Sequence, residues 1–331
     1  MNIRRVYITE SAVKHRLVDE FRAALPDAQF QQVADADEVP LPDEPCRRFV
    51  FAKRSLLLDV HPGLLLRPLT RPYGEDRPEY YLYAETGCLF DCQYCFLQEW
   101  LSTPLPTVFV NREHLADQVE EVLAQHDSRL YLHAGEVADA LALDPITGLS
   151  ETLIALANAH PGLRCELRTK SDAIERLLKS NAVPQNLVVS WSLSPAESIR
   201  RFEPRTASLA RRLAAIEAVS ARGYAVALRL DPIVSLTSDP MPLVAMLHDV
   251  AAVMRRPPVS ITVGSMRMTA PCLRIARMRF PESSLFAGEL VRSIDGKYRF
   301  SGPLRRTAFR AVAETALQLW GIEVDYCMEP Q

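Results

Sequence analysis

Two kinds of hydrophobic pattern alternate along the chain from Glu79 onward. Short stretches rich in β-branched, aromatic and other apolar residues predict six buried strands: YYLYA (80–84), RLYLHA (129–134), LRCELRT (163–169), LVVSWSL (187–193), YAVALRL (224–230) and VSITVGS (259–265). Between them, apolar residues at helical spacing predict amphipathic helices in REHLADQVEEVLAQ, LSETLIALANA, SDAIERLLKS and TASLARRLAAIEAVSARG. Gly223 ends the last of these as a C-terminal stop. Such alternation indicates parallel strands joined by right-handed helical crossovers.

The number of strand–helix units sets the expected architecture. About six units are too few for a closed eight-fold barrel, and they predict an α/β fold with a partial (β/α)6 barrel over residues 76–267. Residues 1–75 form an expected N-terminal appendage, with a helix over 11–25 capped by Ser11 and one or two strands within 48–60. Residues 268–331 break the alternation and form an expected C-terminal cap.

Polar residues follow these strands where each one ends. Three cysteines follow the first strand, Gly135-Glu136 the second and Lys170 the third, while Ser192 ends the fourth and Asp231 follows the fifth. The carboxyl ends of parallel strands lie at one edge of the sheet, where α/β proteins build their sites. The sequence therefore predicts one site at this edge.

Composition and charge limit the class of protein. Of the 331 residues, 48% are hydrophobic and 24% are charged, as in an ordinary globular protein. No apolar run approaches the roughly 20 residues of a membrane span, and the first residues, MNIRRVYITESAVKH, lack the apolar core of a signal peptide. We expect a cytoplasmic protein without a membrane partner. A net charge of -3 means that any contact with DNA requires a local basic patch.

Three of the seven cysteines stand within eight residues. Cys88, Cys92 and Cys95 have the spacing C-x3-C-x2-C, with Tyr94 before the last. A structural zinc site usually takes four ligands from two pairs, and this loop has no second pair nearby, so a zinc site with a distant fourth ligand is the alternative. Thiolates are the ligands of iron–sulfur clusters. Three ligands on a four-iron cube leave one iron open to bind another molecule.

The spacing with an aromatic residue before the last cysteine resembles the signature of the radical S-adenosylmethionine (SAM) superfamily. This resemblance implies a [4Fe-4S] cluster on Cys88, Cys92 and Cys95 whose open iron binds SAM, with Tyr94 beside the adenine. It also implies an electron donor of flavodoxin or ferredoxin type and cleavage of SAM to methionine and a 5′-deoxyadenosyl radical, which abstracts a substrate hydrogen. An open partial α/β barrel is the fold of that superfamily.

Longer stretches resemble the spore photoproduct lyase family. They are GCLFDCQYCFLQ, LRTKSDAIERLL, FEPRTASLARRLAAIEAVSARGYAVALRLDPI, SMRMTAP and KYRF, which together cover nearly the whole chain and are weakest in its first 75 and last 60 residues. The resemblance implies that Lys170 and Ser192 bind SAM. It also implies a lyase that repairs a methylene-bridged thymine dimer in DNA. In that reaction a cysteine thiol returns a hydrogen atom, and tyrosines complete the relay.

Two positions depart from the family pattern. Glu136 stands where the resemblance places the donor cysteine, and a carboxylate, ionised near neutral pH, does not donate a hydrogen atom as a thiol does. Gly135-Glu136 instead resembles an element that holds the SAM ammonium by a charge-assisted hydrogen bond. Phe96 replaces one relay tyrosine, so Tyr94 is the remaining catalytic candidate.

Several other residues are weaker candidates. Asp231 contacts SAM or substrate, or else caps the next element. His133 is an acid–base candidate for the substrate, or a packed strand histidine. Arg267 is a candidate anion contact, or a surface arginine. A basic run interleaved with aromatic residues suits phosphates and flipped bases, or is a solvated surface; it comprises Lys297, Arg299, Arg305 and Arg306.

Three functions follow as hypotheses. The first is repair of a thymine photolesion in DNA. The second is a radical reaction of the same machinery on a different nucleoside, nucleic acid or small molecule, which Glu136 and Phe96 favour. The third is a nucleic-acid-binding protein with a structural cluster, and the SAM-side residues argue against it.

Overall fold

The computed structural model of the chain describes residues 2–69, 77–234, 238–288 and 290–329. In chain order its strands are β1 (Arg5–Thr9), β2 (Gln29–Val33), β3 (Ser55–Asp59), β4 (Leu66–Pro68), β5 (Glu79–Leu82), β6 (Glu85–Thr86), β7 (Thr107–Phe109), β8 (Leu130–Ala134), β9 (Leu163–Thr169), β10 (Leu187–Ser192), β11 (Ala225–Ile233), β12 (Ile261–Ser265), β13 (Arg267–Met268), β14 (Leu290–Arg292), β15 (Tyr298–Phe300) and β16 (Asp325–Tyr326). Its α-helices are α1 (Arg16–Ala24), α2 (Pro45–Ala52), α3 (Leu97–Trp100), α4 (Leu115–Gln125), α5 (Asp144–Thr147), α6 (Leu149–Ala159), α7 (Glu175–Lys179), α8 (Ala196–Phe202), α9 (Leu209–Arg222), α10 (Met241–Val253), α11 (Ala270–Arg279) and α12 (Gly302–Trp320).

The chain divides into two compact units. The first comprises Met1–Leu89, Leu101–Arg168 and Glu175–Leu187, and the second comprises Phe90–Trp100, Thr169–Ile174 and Val188–Gln331. The predicted boundary between residues 75 and 76 lies outside the described residues. The division into appendage (1–75), barrel (76–267) and cap (268–331) stays a prediction.

The first unit contains two groups of hydrogen-bonded strands. In one, the order is β2-β1-β3-β7-β6, and all neighbours are parallel except β6 and β7. In the other, β9, β8 and β5 are parallel neighbours, and β4 is antiparallel to β5. Strand β8 is buried along its whole length, as expected for a parallel strand covered on both faces.

The second unit contains the strand order β10-β11-β12-β16, in which all neighbours are parallel. The carboxyl ends of these four strands therefore lie at one edge. A small antiparallel sheet with the order β13-β15-β14 follows in the chain. The six predicted core strands all occur, as β5 and β8 to β12, so the predicted α/β organisation with parallel strands is confirmed.

Local sequence signals explain most helix boundaries. Ser208 caps α9 by accepting the backbone N–H of Arg211, and Gly223 ends it in the left-handed conformation with φ 104°. The predicted cap Ser11 is wrong, because its hydroxyl pairs with Thr9 Oγ1 at 2.9 Å. The helix begins instead after His15, whose Nδ1 accepts the Leu17 N–H at 3.2 Å.

The segment 48–60 supplies one strand, β3, rather than two. Its first part is helical because Glu44 accepts the N–H groups of Cys46 and Arg47, and Pro45 occupies the first turn of α2. Across the described residues, no helix combines the length and apolarity needed to cross a membrane.

Candidate active site

The cysteine loop contributes Cys88 to the first unit and Cys92 and Cys95 to the second. Cys92 is buried, Cys88 and Cys95 are half-buried, and none of the three forms a disulfide within the described residues. Within the second unit, backbone hydrogen bonds fix the loop: Asp91 donates to the carbonyl of Pro204 at 3.1 Å, and Gln93 donates to that of Phe202 at 2.9 Å. The loop thus presents its thiols from a backbone anchored to the end of α8.

Four side chains of the second unit form a polar group around Glu203, here called the Glu203 group (Tyr94, Lys170, Glu203 and Arg212). Tyr94 Oη donates to one carboxylate oxygen of Glu203 at 2.5 Å, and Arg212 Nη2 donates to the other at 2.5 Å. The side chains of Glu203 and Arg212 are fully shielded from solvent. The Lys170 ammonium lies 5.9 Å from the centre of the Tyr94 ring. The group brings two of the predicted SAM-side residues together.

Electrostatics set the protonation states in this group. Burial opposes ionisation of Glu203, but Arg212 and Lys170 outweigh it and hold the pKa of that carboxyl below its ordinary value. Burial raises the pKa of Tyr94 far above its usual range, and the charge of Glu203 adds to this, so the phenol keeps its proton. Burial would lower the pKa of Lys170, yet the charges of Cys92 and Glu203 raise it overall. One carboxylate and two cations leave the group with net positive charge.

The donor set fits an iron–sulfur cluster. The charges of Cys92 and Cys95 both raise the pKa of Lys170, so these sulfurs lie close enough to its ammonium to interact with it. A cation beside thiols favours the thiolate form, which is the form that binds iron. In the described part of the chain, no three His, Cys, Asp or Glu side chains converge as ligands of a single metal ion. A four-iron cube has a different requirement, since each thiolate binds its own iron.

Gly135 and Glu136 form the turn that ends β8 in the first unit. Gly135 has φ 95°, and a Cβ there would overlap the carbonyl oxygen of Arg168. That oxygen accepts the N–H of Ala140 at 3.1 Å. Glu136 keeps about a fifth of its side chain exposed and forms an ion pair with the Arg168 guanidinium. The turn therefore needs glycine, and it presents a carboxylate whose charge is balanced by one arginine.

His133 belongs to a buried network behind this turn. Its Nε2 lies 2.8 Å from Glu79 Oε2, and its Nδ1 lies 2.9 Å from Glu166 Oε2. Arg168 Nε donates to Glu166 at 2.8 Å, which links the network to Glu136. His133 was predicted as a substrate candidate, and the structure encloses its ring between two carboxylates at 1% exposure. The network supports Arg168 and, through it, Glu136.

Replacing Gly135 with alanine is expected to destabilise the protein by about 2 kcal/mol or more, because a non-glycine residue at this φ is strained and its Cβ meets backbone. Urea unfolding monitored by circular dichroism measures the effect. Gly288 is the matched control, because its φ is not in the left-handed region and a Cβ there meets no atom of the described residues within 4 Å. Equal stability losses in Gly135→Ala and Gly288→Ala would contradict the role assigned to this turn.

Asp231 and Arg267, predicted as separate candidates, are partners. Arg267 Nη1 donates to Asp231 Oδ1 at 2.5 Å, and Nη2 lies 3.2 Å from Oδ2. Burial opposes ionisation of Asp231, but the guanidinium holds the pKa of its carboxyl below its usual range. Gly264 makes room for the pair, since a Cβ there would stand 2.5 Å from Asp231 Oδ1. Ser192 is half-buried, and its carbonyl accepts Arg212 Nη1 at 2.8 Å.

The four basic residues predicted to contact DNA do not form one cationic surface. Arg299 departs most from that prediction. This guanidinium is fully buried, donates to Asp295 at 2.6 and 2.8 Å, and reaches the carbonyl of Met328 at 3.0 Å. Its hydrogen bonds lower the pKa of Asp295 to about 2. Arg305 forms an ion pair with Glu329. Lys297 is half-buried and Arg306 is exposed.

Sequence reasoning missed several functional partners. Glu203, Arg212 and Arg168 were not singled out, although Arg168 lies within a predicted core strand and Arg212 within a predicted amphipathic helix. Such a residue is seldom buried without a partner of opposite charge, and this is the signal that could have identified them. Phe96, by contrast, is 42% exposed and packs edge-to-face against Trp100 with ring centres 6.3 Å apart.

Comparison with known proteins gives a consistent result. A family model described as spore photoproduct lyase matches residues 5–302. Spore photoproduct lyase of Geobacillus sp. (strain Y412MC61) is 25% identical over 259 residues, which cover 76% of this chain and 74% of that protein. The protein of the same name from Bacillus subtilis (strain 168) is 26% identical over 188 residues, covering 55% of this chain and 52% of that protein.

Solved structures agree in fold. A structure of a spore photoproduct lyase double mutant with bound AdoMet (SAM) and dinucleoside spore photoproduct has a TM-score of 0.85 and 22% identity, and the match covers 98% of both chains. Spore photoproduct lyase complexed with dinucleoside spore photoproduct gives 0.85 at 21% identity, over 98% of this chain and 99% of that chain. At this identity the likeness establishes the shared fold.

Proposed function

The chain belongs to the spore photoproduct lyase family, and from this premise we propose that it repairs spore photoproduct, a methylene-bridged thymine lesion of DNA, as a radical SAM lyase. The observation that carries the proposal is the family match over residues 5–302. The named relatives and the structures with bound dinucleoside spore photoproduct support the same substrate class.

The residues assigned to the cofactors have defined tasks. Cys88, Cys92 and Cys95 would hold the [4Fe-4S] cluster. When bound, the cluster and SAM would supply the radical chemistry that takes a hydrogen atom from the lesion. The Glu203 group contributes net positive charge beside Cys92 and Cys95 and keeps the Tyr94 phenol protonated against Glu203. This charge favours an anionic thiolate-bound cluster.

The first unit contributes a candidate contact for SAM. Arg168 balances the charge of Glu136 through one ion pair, and the side chain remains partly exposed. We assign the exposed part of this carboxylate to the SAM ammonium, by a charge-assisted hydrogen bond. A second substrate class for the same machinery is not favoured, because the family match spans most of the chain.

The partners follow from the same proposal. The substrate is nucleoside-like, and for DNA we assign phosphate contact to Arg306 and Lys297, which are exposed and half-buried, rather than to the buried Arg299. A one-electron donor of flavodoxin or ferredoxin type would reduce the cluster.

The experiment that tests this proposal measures the abstraction of hydrogen from the lesion. The protein is reconstituted anaerobically with iron and sulfide, reduced with dithionite, and given SAM with a dinucleoside spore photoproduct deuterated at the bridged dihydrothymine. We expect 5′-deoxyadenosine that carries deuterium from the substrate. Unlabelled 5′-deoxyadenosine formed at the same rate with and without the lesion would contradict this substrate while leaving SAM cleavage intact.

A further inference from the structure

A cysteine that sequence reasoning left without a role lies at the edge where the site is expected. Cys327 directly follows β16, the strand next to β12 in the parallel order β10-β11-β12-β16. It therefore shares the carboxyl edge of this sheet with Ser192, Asp231 and Ser265, which lie at or near the carboxyl ends of the other three strands. Its backbone N–H donates to the carbonyl of Val263 at 2.9 Å, which fixes its place at that edge.

The Cys327 side chain is part of a polar cluster. Arg267 Nη2 donates to its Sγ at 3.4 Å, and the same guanidinium binds Asp231 through both of its terminal nitrogens. The charge of the Asp231 carboxylate also raises the pKa of this thiol. The sequence analysis named both partners as candidates on other grounds, Asp231 as a contact for SAM or substrate and Arg267 as an anion contact. We call Asp231, Arg267 and Cys327 the Cys327 cluster.

The chain end is tethered in a way that holds this cluster in place. One carboxylate oxygen of Glu329 accepts both the N–H and the hydroxyl of Ser265 at 2.7 Å, and the other binds Arg305. Glu329 stands two residues after Cys327, and its side chain is 8% exposed. Two contacts therefore anchor this segment: the Cys327 backbone is bonded to Val263, and the Glu329 side chain is bonded to Ser265.

We propose that Cys327 is the catalytic residue that returns a hydrogen atom to the product radical, with Asp231 and Arg267 as positioning residues. This inference rests on the proposed function. Hydrogen abstraction and fragmentation leave a thymine-derived carbon radical, which must gain a hydrogen atom to become thymine. A thiol is the side chain suited to this because its S–H bond is weak, whereas the ion-paired Glu136 carboxylate has no hydrogen to give.

The carbon radical forms a C–H bond while the S–H bond of Cys327 breaks, which leaves a thiyl radical. One electron from a reductant of the flavodoxin or ferredoxin class, together with one proton from solvent, restores the thiol. In this route SAM is consumed, two electrons are used in each turnover, and the lesion itself undergoes no net redox change.

The surroundings of Cys327 keep it in the form that this step needs. Burial raises the pKa of its thiol to about 12, and the charge of Asp231 adds to this, so the sulfur carries a hydrogen near neutral pH. The other three thiols outside the cluster loop lie in different surroundings. Cys165 is fully buried within β9, Cys272 packs against the cluster loop in an apolar group, and Cys46 lies in α2 of the first unit.

The test uses solvent deuterium, because a thiol exchanges its hydrogen with water and a carbon-bound hydrogen does not. The reconstituted wild-type protein converts dinucleoside spore photoproduct in D2O, and mass spectrometry of the thymine methyl groups is expected to find one deuterium per turnover. Cys327→Ala should keep 5′-deoxyadenosine formation and lose this label. Cys46→Ala is the matched control and should keep both.

The following results would overturn the role proposed for Cys327 or the proposed function. Wild-type product without solvent deuterium would overturn the proposal whatever the variant does, as would a Cys327→Ala protein that still labels its product. Loss of the label in Cys272→Ala alone would transfer the role to that residue and refute ours. A wild-type protein that cleaves SAM but leaves the lesion untouched fails the proposed function instead, so the two failures are distinguishable.

Discussion

Replacing Cys95 with alanine is expected to abolish 5′-deoxyadenosine formation from SAM. The resemblance assigns three thiolates to the cube, and losing one removes an iron ligand. The nearby Cys272 thiol, whose Sγ lies 3.7 Å from the Cys95 carbonyl oxygen, is held protonated because burial raises its pKa to about 12. Iron and sulfide content and the visible absorption of the reconstituted protein measure the cluster. Liquid chromatography of the reaction measures 5′-deoxyadenosine.

The control for this substitution is Cys46→Ala. Cys46 is a half-buried thiol at the start of α2 and lies outside the cluster loop in the sequence. Its replacement should leave iron content and SAM cleavage at wild-type levels. A Cys95→Ala protein that retains a full cluster and cleaves SAM would contradict the ligand assignment.

Replacing Glu203 with glutamine is expected to lower the free energy of unfolding by about 3–5 kcal/mol, the usual cost of removing one partner from a buried ion pair. Arg212 is fully shielded and donates to Glu203 at 2.5 Å, so the substitution leaves a buried charge without its counterion. Urea denaturation measures the loss. Glu197, which pairs with Arg200 on the surface, is the control, and Glu197→Gln should leave the free energy of unfolding nearly unchanged because solvent screens that pair.

The same substitution has a predicted pH signature. The pKa of Glu203 is lower in the folded protein than the ordinary value of about 4.3. Its contribution to stability is therefore present above that value and is lost as the pH falls toward the folded-state pKa. The wild-type protein should lose stability more steeply on acidification than Glu203→Gln. Identical pH dependence in the two proteins would show that Glu203 is not held ionised by its partners.

The sequence predicted the parts of the fold that depend on local periodicity. The six core strands follow from the spacing of apolar residues, and the end of α9 at Gly223 follows from the conformational freedom of glycine. Each of these signals lies within a short stretch of sequence. The cap of α1 was wrong because Ser11 and His15 are both local candidates. The choice between them depends on Thr9, which pairs with Ser11, and on Asp59 from another strand.

The sequence can predict the parts of the candidate site that lie in one loop, but not those that depend on pairing between distant residues. The spacing of Cys88, Cys92 and Cys95 predicts them as cluster ligands from one short segment. Partnerships such as that of Asp231 with Arg267, 36 residues apart, carry no spacing signal. The prediction for Arg299 failed for the same reason. The sequence indicates a cation available to phosphate, but in the fold Asp295 neutralises its charge.

The departure at Glu136 acquires a physical meaning from the structure. The carboxylate is the exposed end of a network that runs through Arg168 to Glu166 and His133. Such a group suits cation binding and positioning rather than hydrogen donation. The hydrogen-returning role then requires a thiol elsewhere, and Cys327 lies at the carboxyl edge of the second unit with a polar cluster around it.

Consumption of the lesion decides whether the protein is a spore photoproduct lyase. The reconstituted, reduced protein is incubated with SAM and dinucleoside spore photoproduct, and a cyclobutane thymine dimer serves as the matched control substrate. We predict that the spore photoproduct disappears with formation of the repaired thymidine pair, while the cyclobutane dimer is unchanged. Steady release of 5′-deoxyadenosine with the spore photoproduct left intact would contradict the account.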